Sequence, residues 1–284
     1  MFKVEKISIK DKNYPQILKK IKNPPKVIYF SGKILPKEKC FAIVGTRRCS
    51  SYGKEIAFQI AKDLTETGLT IVSGMAPGID TFAHKGALEV KGRTIAVLGT
   101  GIDEKSIYPK SNLKLAKEIL KFGGALISEY PPGTKGAKFT FPKRNRIISG
   151  LSLGVLVVEA RLKSGALITA KYAIEQKRKV FAIPGSIFSQ TSKGCHFLIK
   201  RGAKLIEEAK DILKELKIKP KMKKKGGEEK NVILKVLKGG ALSLEEIVQK
   251  TKLSPSKVIS LISLLEIGGK IKNLGNNVYA LSYR

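Results

Sequence analysis

Phe41-Ala42-Ile43-Val44-Gly45 is the stretch that decides the fold, because it is apolar throughout, ends on glycine and precedes an amphipathic helix that extends to about Thr67. Further apolar stretches follow at Thr70–Gly74, Thr94–Gly99, Ala125–Tyr130, Gly154–Ala160, Val180–Pro184 and, as a short last one, Ala203–Ile206. Between them, apolar spacing predicts helices at about Asp80–Val90, Leu113–Phe122 and Ala166–Lys177. Apolar strands that alternate with helices form a parallel sheet covered on both faces. We therefore predict an α/β, Rossmann-like, doubly wound and mostly parallel sheet.

The chain is expected to have four segments. Residues 1–38 are a proline-containing lead-in, 39–217 the Rossmann-like domain, 218–227 a flexible basic linker and 228–284 a small C-terminal domain. A chain of 284 residues is long enough for one large and one small domain of this kind.

The last segment has the pattern of a winged helix. Helices are predicted over 231–237, 243–250 and 254–267, followed by a hairpin with a Gly275-Asn276-Asn277 turn. Ser243 and Glu246 have the spacing of a capping box. The helix over 254–267 has one lysine and several serines but no Arg, Asn or Gln to contact bases. We therefore expect this domain to contact protein or to have an auxiliary role.

The chain is very basic, with a formal net charge of +32 and a pI near 10.0. Such a charge favours a polyanionic partner, and a lysine-rich proteome is an alternative source of part of it. Residues 228–284 hold 9 of the basic and 5 of the acidic side chains, so most of the net charge lies on the larger domain. Arginine supplies 9 of the 55 cations, and four of these nine stand in two short motifs, at Arg47, Arg48, Arg144 and Arg146.

The first motif, Gly45-Thr46-Arg47-Arg48, follows a strand end, where ligands bind in doubly wound sheets. It has neither the glycines of a dinucleotide-binding loop nor a Walker pattern. The motif nevertheless places the guanidiniums of two arginines beside a helix N-terminus. Free N–H groups at such an end bind anions, so the motif predicts phosphate binding. The alternative is arginines paired with carboxylates. A second cradle is expected at Ser164-Gly165-Ala166, where an ordinary capped helix is the equal alternative.

The second motif is Phe141-Pro142-Lys143-Arg144-Asn145-Arg146, which we predict to be a loop before a short helix. Fixed cations beside an aromatic ring suit a phosphate backbone that carries an unstacked base. We expect a base to stack on Phe139 or Phe141.

Four other polar residues are candidates for catalytic or metal-binding groups. Asp80 and His84 are four apart on one predicted helix, but no third ligand accompanies them, so we predict a helix cap and a packed histidine. Glu129 and Glu159 end two strands, and we expect them to orient the arginines because no nucleophile or metal cluster accompanies them.

The three cysteines form no CxxC pair, and Cys195-His196 has no further ligands nearby. We expect no metal and no cofactor. The N-terminus lacks a hydrophobic signal region and no apolar run reaches membrane-spanning length, so we expect a cytoplasmic protein without a membrane partner.

Taken in order, these motifs resemble those of the DprA (Smf) family of DNA-processing proteins. Ala42–Arg48 is similar to the family's G-[ST]-R motif, and 78–84 and 141–152 follow its two longest signatures. The segments 157–160 and 164–170 complete the resemblance, which covers about residues 13 to 284. Pro77 and His196 depart from the family's usual residues at these positions.

The resemblance implies a non-enzymatic, homodimeric protein of natural transformation that binds and protects incoming single-stranded DNA and loads the RecA recombinase. It carries the DNA pocket over to the two arginine motifs, with Lys171 as a further candidate. The full predicted DNA-binding set is Gly45, Thr46, Arg47, Arg48, Gly74, Phe139, Phe141, Lys143, Arg144, Asn145, Arg146, Ser164 and Lys171.

The alternative is a nucleotide-binding enzyme or sensor. Related folds hold small nucleotides at the same strand ends, and Asp80, Glu129 and Glu159 would then be the acid and base groups.

Overall fold

The computed structural model describes residues 2–218 and 232–282. The chain divides into two compact units, Met1–Lys221 and Met222–Arg284. The predicted basic linker over 218–227 lies, from residue 219 onward, outside the described residues.

The larger unit is built on a nine-stranded sheet. Its strands are β1 (Glu5–Ser8), β2 (Val27–Gly32), β3 (Cys40–Val44), β4 (Thr70–Ser73), β5 (Thr94–Leu98), β6 (Ala125–Ser128), β7 (Ser152–Val157), β8 (Lys179–Ala182) and β9 (Lys204–Leu205). They lie in the order β1-β2-β6-β5-β4-β3-β7-β8-β9. Every neighbouring pair from β6 across to β9 is parallel, whereas β1 and β2 join antiparallel at one side.

Helices cover both faces of this sheet. They are α1 (Gln16–Lys19), α2 (Ser51–Glu66), α3 (Ile79–Glu89), α4 (Leu113–Lys121), α5 (Thr140–Leu151), α6 (Gly165–Glu175), α7 (Lys193–Lys200) and α8 (Ala209–Glu215). Along β3, Ala42 and Val44 pack in the core formed with α1, α5, α6 and α7, while Phe41 and Ile43 pack in the core formed with α2, α3 and α8. Alternate residues of one strand thus bury against two helical layers, which is why the strand is apolar throughout.

The predicted fold class is confirmed, and the bounds of strands β3 to β8 lie within three residues of their predicted positions. The lead-in was predicted to be a separate segment, but in the structure it is part of the larger unit. Its strands β1 and β2 extend the sheet, and Leu18 is fully buried. Helices α7 and α8 were not predicted.

The predicted Phe141–Arg146 loop is wrong, because these residues form the first turns of α5. Pro142 does not prevent the helix, since a proline in the first turn lacks only an N–H that has no helical partner there. Ile147, Ile148 and Leu151 then bury on the sheet and hold the helix in place.

The sheet has one topological switch point, between β3 and β7. From β3 the chain runs outward through β4, β5 and β6, and then returns to β7 on the other side of β3. Loops therefore diverge at the carboxyl ends of these two strands and leave a crevice between them.

The smaller unit has a three-stranded antiparallel sheet in the order β10-β12-β11. Its elements are a helix described over 232–237 (α9), β10 (Leu242–Ser243), α10 (Leu244–Thr251), α11 (Pro255–Ile267), β11 (Ile271–Gly275) and β12 (Val278–Leu281). The capping box of Ser243 and Glu246 is confirmed. Asn276 and Asn277 both have positive φ, as a tight hairpin turn requires. The winged-helix assignment and the auxiliary role stay predictions.

Within residues 2–218 and 232–282, no helix combines the length and apolar character that a membrane span needs. The three cysteines are free thiols, and burial raises the pKa of Cys40.

A partly buried ion pair closes the amino-terminal edge of the sheet. The Arg93 guanidinium donates to the Glu38 carboxylate and to the carbonyl oxygens of Lys33 and Gly123, and Glu38 also accepts from the Thr70 hydroxyl. The side chains of Arg93 and Glu38 are 18% and 8% exposed. The pair joins the segments that precede β3, β4 and β5.

We expect Arg93→Ala to lower the free energy of unfolding by about 3 kcal/mol, because Glu38 would stay buried without its partner. Urea unfolding of the full chain measures the loss. Glu215→Ala is the matched control, since it removes an ion pair with Lys179 that is open to solvent. Equal losses in both variants would contradict the assignment.

Candidate functional site

The crevice at the switch point is an open cleft of about 900 Å³. Three segments form most of its walls: the turn after β3, the first turns of α5, and the segment that leads from β7 into α6. The residues of the predicted set that line it are Gly45, Thr46, Arg47, Arg48, Phe141, Arg144, Asn145 and Ser164. The structure therefore brings both arginine motifs together at one place.

The turn after β3 is held tightly between its neighbours. The Thr46 N–H donates to the Glu159 carbonyl at 2.7 Å, and the Thr46 carbonyl accepts from the Ile79 N–H at 3.3 Å. A Cβ at Gly45 would lie 2.5 Å from a side-chain carbon of Ile79. Gly78, at φ +80°, passes equally close to the Thr46 carbonyl. Both glycines are needed for the backbones to approach, so the position of Arg47 is fixed by its main chain.

Arg47 presents its guanidinium to the cleft. The residue is exposed, and no ion pair of its guanidinium occurs among the described residues. The guanidinium carbon lies 5.4 Å from the centre of the Phe141 ring. The arrangement leaves the hydrogen-bond donors of Arg47 available to an anion.

Phe141 is itself held by its neighbours. A Cβ at Gly136 would lie 2.6 Å from its Cζ, and one at Gly99 would lie 2.9 Å from its Cδ1. The Tyr108 ring packs against it at 5.6 Å between ring centres and is 50% exposed. Phe141 is thus half-buried support for the cleft, while Tyr108 offers the more exposed aromatic surface.

Arg144 is buried, with 5% of its surface exposed. Its Nη1 donates to the Gly74 carbonyl at 2.8 Å and to the Val97 carbonyl, and its Nε donates to Asn145 Oδ1 at 3.1 Å. Nη2 has no hydrogen-bond partner in the described part of the chain. Burial lowers the pKa of Arg144 to about 10, so it stays charged at neutral pH.

Gly74 does not line the cleft but makes room for this guanidinium, since a Cβ there would lie 2.6 Å from Nη2 of Arg144. Asn145 links two walls of the cleft, because its Nδ2 donates to the Gly165 carbonyl at the start of α6.

Four further predicted residues point elsewhere. Arg146 makes two hydrogen bonds to the Glu129 carboxylate, at 2.8 and 3.1 Å, and Lys143 lies 3.7 Å from the same carboxylate. Phe139 is 71% exposed but outside the cleft, and Lys171 lies 4.0 Å from Glu175. The prediction that Glu129 orients an arginine is confirmed.

A carboxylate of the protein lies at the N-terminus of α2, and the phosphate site expected there stays a prediction. Glu159 accepts hydrogen bonds from the Ser50 N–H and hydroxyl, at 2.9 and 2.7 Å, and a Cβ at Gly53 would lie 2.3 Å from it. A negative side chain beside the positive end of the helix is a favourable arrangement. Glu159 therefore orients α2 and not an arginine.

The start of α6 does face the cleft. Ser164, Gly165 and Ala166 all line it, and the Ser164 hydroxyl accepts from the Ala166 N–H at 3.3 Å. The capped helix is therefore confirmed, and the phosphate cradle at this segment stays a prediction.

The lining residues that the predicted DNA-binding set missed include Tyr108, Lys138, Arg161 and Lys163. The sequence did indicate the position of Arg161, because this residue follows the end of β7 and so lies at the carboxyl edge of the sheet. No such indication existed for Tyr108 and Lys138, because they lie in irregular loops that only the tertiary fold brings to the cleft.

Asp80 orders the turn that precedes its helix. Its Oδ2 accepts from the Gly74 and Ala76 N–H groups at 3.1 and 3.4 Å, so the prediction that it caps α3 is wrong. Burial raises the pKa of Asp80, and the positive charge of Arg144 opposes that shift.

His84 is fully buried, as predicted for a packed histidine. Its Nδ1 lies 2.7 Å from Thr94 Oγ1, whose hydroxyl donates to the Ile71 carbonyl, so Nδ1 is the donor of this pair. No group of three metal-ligating side chains occurs within 2–218 and 232–282. Cys195 and His196 do not converge, since His196 Nε2 donates to the Gly185 carbonyl.

Burial, helped by the charge of Arg144, lowers the pKa of His84 from 6.5 to about 3. Below about pH 6.5, His84 therefore binds a proton in the unfolded chain but stays neutral in the folded chain. The free energy of unfolding falls as the pH drops from about 6.5 towards about 3. We expect His84 to contribute a slope of up to about 1.4 kcal/mol per pH unit. Urea unfolding at several pH values should show this slope in the wild type and a shallower one in His84→Gln. Equal slopes would contradict a neutral buried histidine.

Comparison with known proteins places these features in one family. The model of the DNA recombination-mediator protein A family matches residues 5–217. DNA processing protein DprA of Bacillus subtilis is 47% identical over 215 residues, which are 75% of this chain and 71% of the relative.

Two solved structures are similar as well. DNA processing protein A (DprA) from Streptococcus pneumoniae has a TM-score of 0.70 and 46% identity, covering 75% of this chain and 74% of that one. DNA processing protein A from Helicobacter pylori, solved to describe its single-stranded DNA binding mode, has a TM-score of 0.68 and 32% identity. That match covers 76% of this chain and 96% of the other.

Proposed function

This chain belongs to the DNA recombination-mediator protein A family, and from that premise we propose that its cleft binds single-stranded DNA. The observation that carries the proposal is the Arg47 guanidinium, exposed in the cleft without an ion pair in the described residues. It stands on a main chain that two neighbouring segments hold in place.

The charge of the cleft supports a phosphate ligand. Its cationic lining residues are Arg47, Arg48, Lys138, Arg144, Arg161 and Lys163, whereas Asp80 is the one carboxylate that lines it within the described chain. Asp80 is buried and bonded to backbone N–H groups, so it offers little repulsion to an incoming anion. Guanidinium groups at fixed positions bind phosphate oxygens with several donors at once.

An unpaired strand suits this cleft better than a duplex. Tyr108 gives a half-exposed aromatic surface beside Arg47, and only an unstacked base can lie on such a ring. Stacking is tolerant of base identity, so little sequence preference is expected. The Helicobacter pylori relative, which binds single-stranded DNA, supports the same interpretation for this chain.

We further propose that the bound strand is passed to the RecA recombinase, that the chain acts as a homodimer, and that incoming DNA in natural transformation is the substrate. These partners follow from the family and not from any surface of this molecule. A cytoplasmic location is part of the same proposal.

The alternative, a nucleotide enzyme or sensor, has no specific observation in its favour. Glu129 is paired with Arg146, Glu159 is bonded to the start of α2, and Asp80 is bonded to the turn before α3. The carboxylates that would serve as acid and base are therefore each engaged in hydrogen bonds within the fold.

Arg47→Ala should weaken binding of an oligo(dT) strand by at least about tenfold, because it removes charge-assisted hydrogen bonds to phosphate. The slope of log affinity against log salt should also become shallower by about 0.7 for each phosphate that the variant no longer neutralises. Fluorescence anisotropy over a range of salt concentrations measures both quantities.

Lys39→Ala is the matched control. Lys39 precedes β3 at the end opposite to Arg47, so the variant removes a charge from the amino edge of the same strand. We expect Arg146→Ala to lower stability more than affinity, since Arg146 is bonded to Glu129. Normal affinity and salt slope in Arg47→Ala would overturn the proposed site.

The RecA step has its own test. On single-stranded DNA covered by single-strand binding protein, RecA should begin ATP hydrolysis sooner when this chain is present, and Arg47→Ala should abolish the gain. A gain that survives in Arg47→Ala would separate RecA loading from the cleft.

A further inference from the structure

We propose that the loop over 184–192, which follows β8, is a second binding surface for single-stranded DNA, with Ile187 and Phe188 as a platform for bases that leave the cleft. The inference rests on the proposed function and adds a ligand surface outside the cleft. None of these residues lines the cleft itself.

The two side chains at the tip of this loop are far more exposed than their chemistry favours. Phe188 is 88% exposed and Ile187 is 65% exposed. Adjacent apolar side chains that project into water cost free energy, and such pairs mark surfaces that another molecule covers.

The loop is nevertheless well braced. The Tyr52 hydroxyl donates to the Pro184 carbonyl at 3.2 Å, and His196 Nε2 donates to the Gly185 carbonyl at 3.1 Å. At the other end, the Thr191 carbonyl accepts from the Ala160 N–H at 2.7 Å. The Phe188 N–H also donates to the Ser186 hydroxyl at 3.3 Å. The tip is therefore presented by a fixed loop, and a ligand would meet it already ordered.

Glu159 ties this loop to the arginine turn. Its carboxylate accepts from the Thr191 hydroxyl at 3.0 Å and from the Ser50 N–H at 2.9 Å, and Ser50 follows Arg48 by two residues. On the other side, Ala160 bonds to Thr191 while the next residue, Arg161, lines the cleft. Hydrogen bonds through Glu159 and Ala160 thus join the wall of the cleft to the base of the loop.

The distance suits a short piece of DNA. Two strand spacings separate β3 from β8, through β7, which amounts to about 10 Å. At about 3.4 Å per stacked nucleotide this is about three residues of one strand. A strand held at Arg47 therefore reaches the Phe188 tip within a few nucleotides.

The charge around the tip favours nucleic acid over protein. The segment 184–193 contains no acidic residue and ends in Lys193, and Arg161 and Lys163 are exposed on the neighbouring segment. Two carboxylates lie near the base of the loop. Glu159 accepts three hydrogen bonds, from the Ser50 N–H and hydroxyl and from the Thr191 hydroxyl, and Glu207 is close enough to Tyr52 to contribute to the raised pKa of that residue. An aromatic ring flanked by cations is the combination that binds a sugar-phosphate strand with unstacked bases.

The test compares two oligo(dT) lengths, about two and about fifteen residues, binding to the full-length chain. The short strand fills the cleft, and the long one also reaches the tip. We expect Phe188→Ala to weaken binding of the long strand by about tenfold and to leave the short one within about twofold. Phe188→Tyr should restore the long-strand affinity, since it keeps the ring. Leu35→Ala is the control, because Leu35 is an exposed apolar residue before β3, at the opposite edge.

Long-strand affinity equal to the wild type in Phe188→Ala would overturn the second surface. If that variant instead changed the sedimentation of the protein without DNA, the tip would be a contact between copies of the chain. Failure of the wild type to bind either oligonucleotide, or normal binding by Arg47→Ala, would overturn the proposed function itself. The two failures are therefore distinguishable.

Discussion

A buried guanidinium holds the functional edge of this protein together. Arg144 projects from the first turns of α5 and donates to the Gly74 and Val97 carbonyls, which belong to the ends of two neighbouring strands. Gly74 must lack a side chain for this contact to form. The bond fixes the start of α5 against the sheet, so the positions of Phe141 and Asn145, and through them two walls of the cleft, depend on it.

The positive charge at the carboxyl edge of the sheet depends on where the nearby carboxylates form their hydrogen bonds. Glu129 is bonded to Arg146, and Glu159 to the start of α2 and to Thr191. Each acidic group is satisfied within the fold, while Arg47 has no such partner in the described chain. A positive cleft therefore arises less from the excess of lysine than from the withdrawal of negative charge from its walls.

The fold was predictable from sequence because its signal is local and repeated. Apolar strands such as Phe41–Gly45, each followed by an amphipathic helix, permit only a covered parallel sheet. The start of α5 was mistaken for a loop because a proline and four polar residues stand in its first turns, and tertiary burial of Ile147 and Ile148 outweighs that local preference. The strands β1 and β2 were missed because they join the sheet through pairing with β6, which is distant in sequence.

By itself, the sequence determined the parallel sheet, its carboxyl edge as the place of the proposed site, and the two arginine motifs that meet there. Only the tertiary structure decided which arginines face the cleft, because burial and pairing depend on residues far apart in the chain. Arg47 is open, Arg144 is committed largely to the backbone, and Arg146 to Glu129. The same reason applies to Glu159, whose role was set by the helix N-terminus that the fold places beside it.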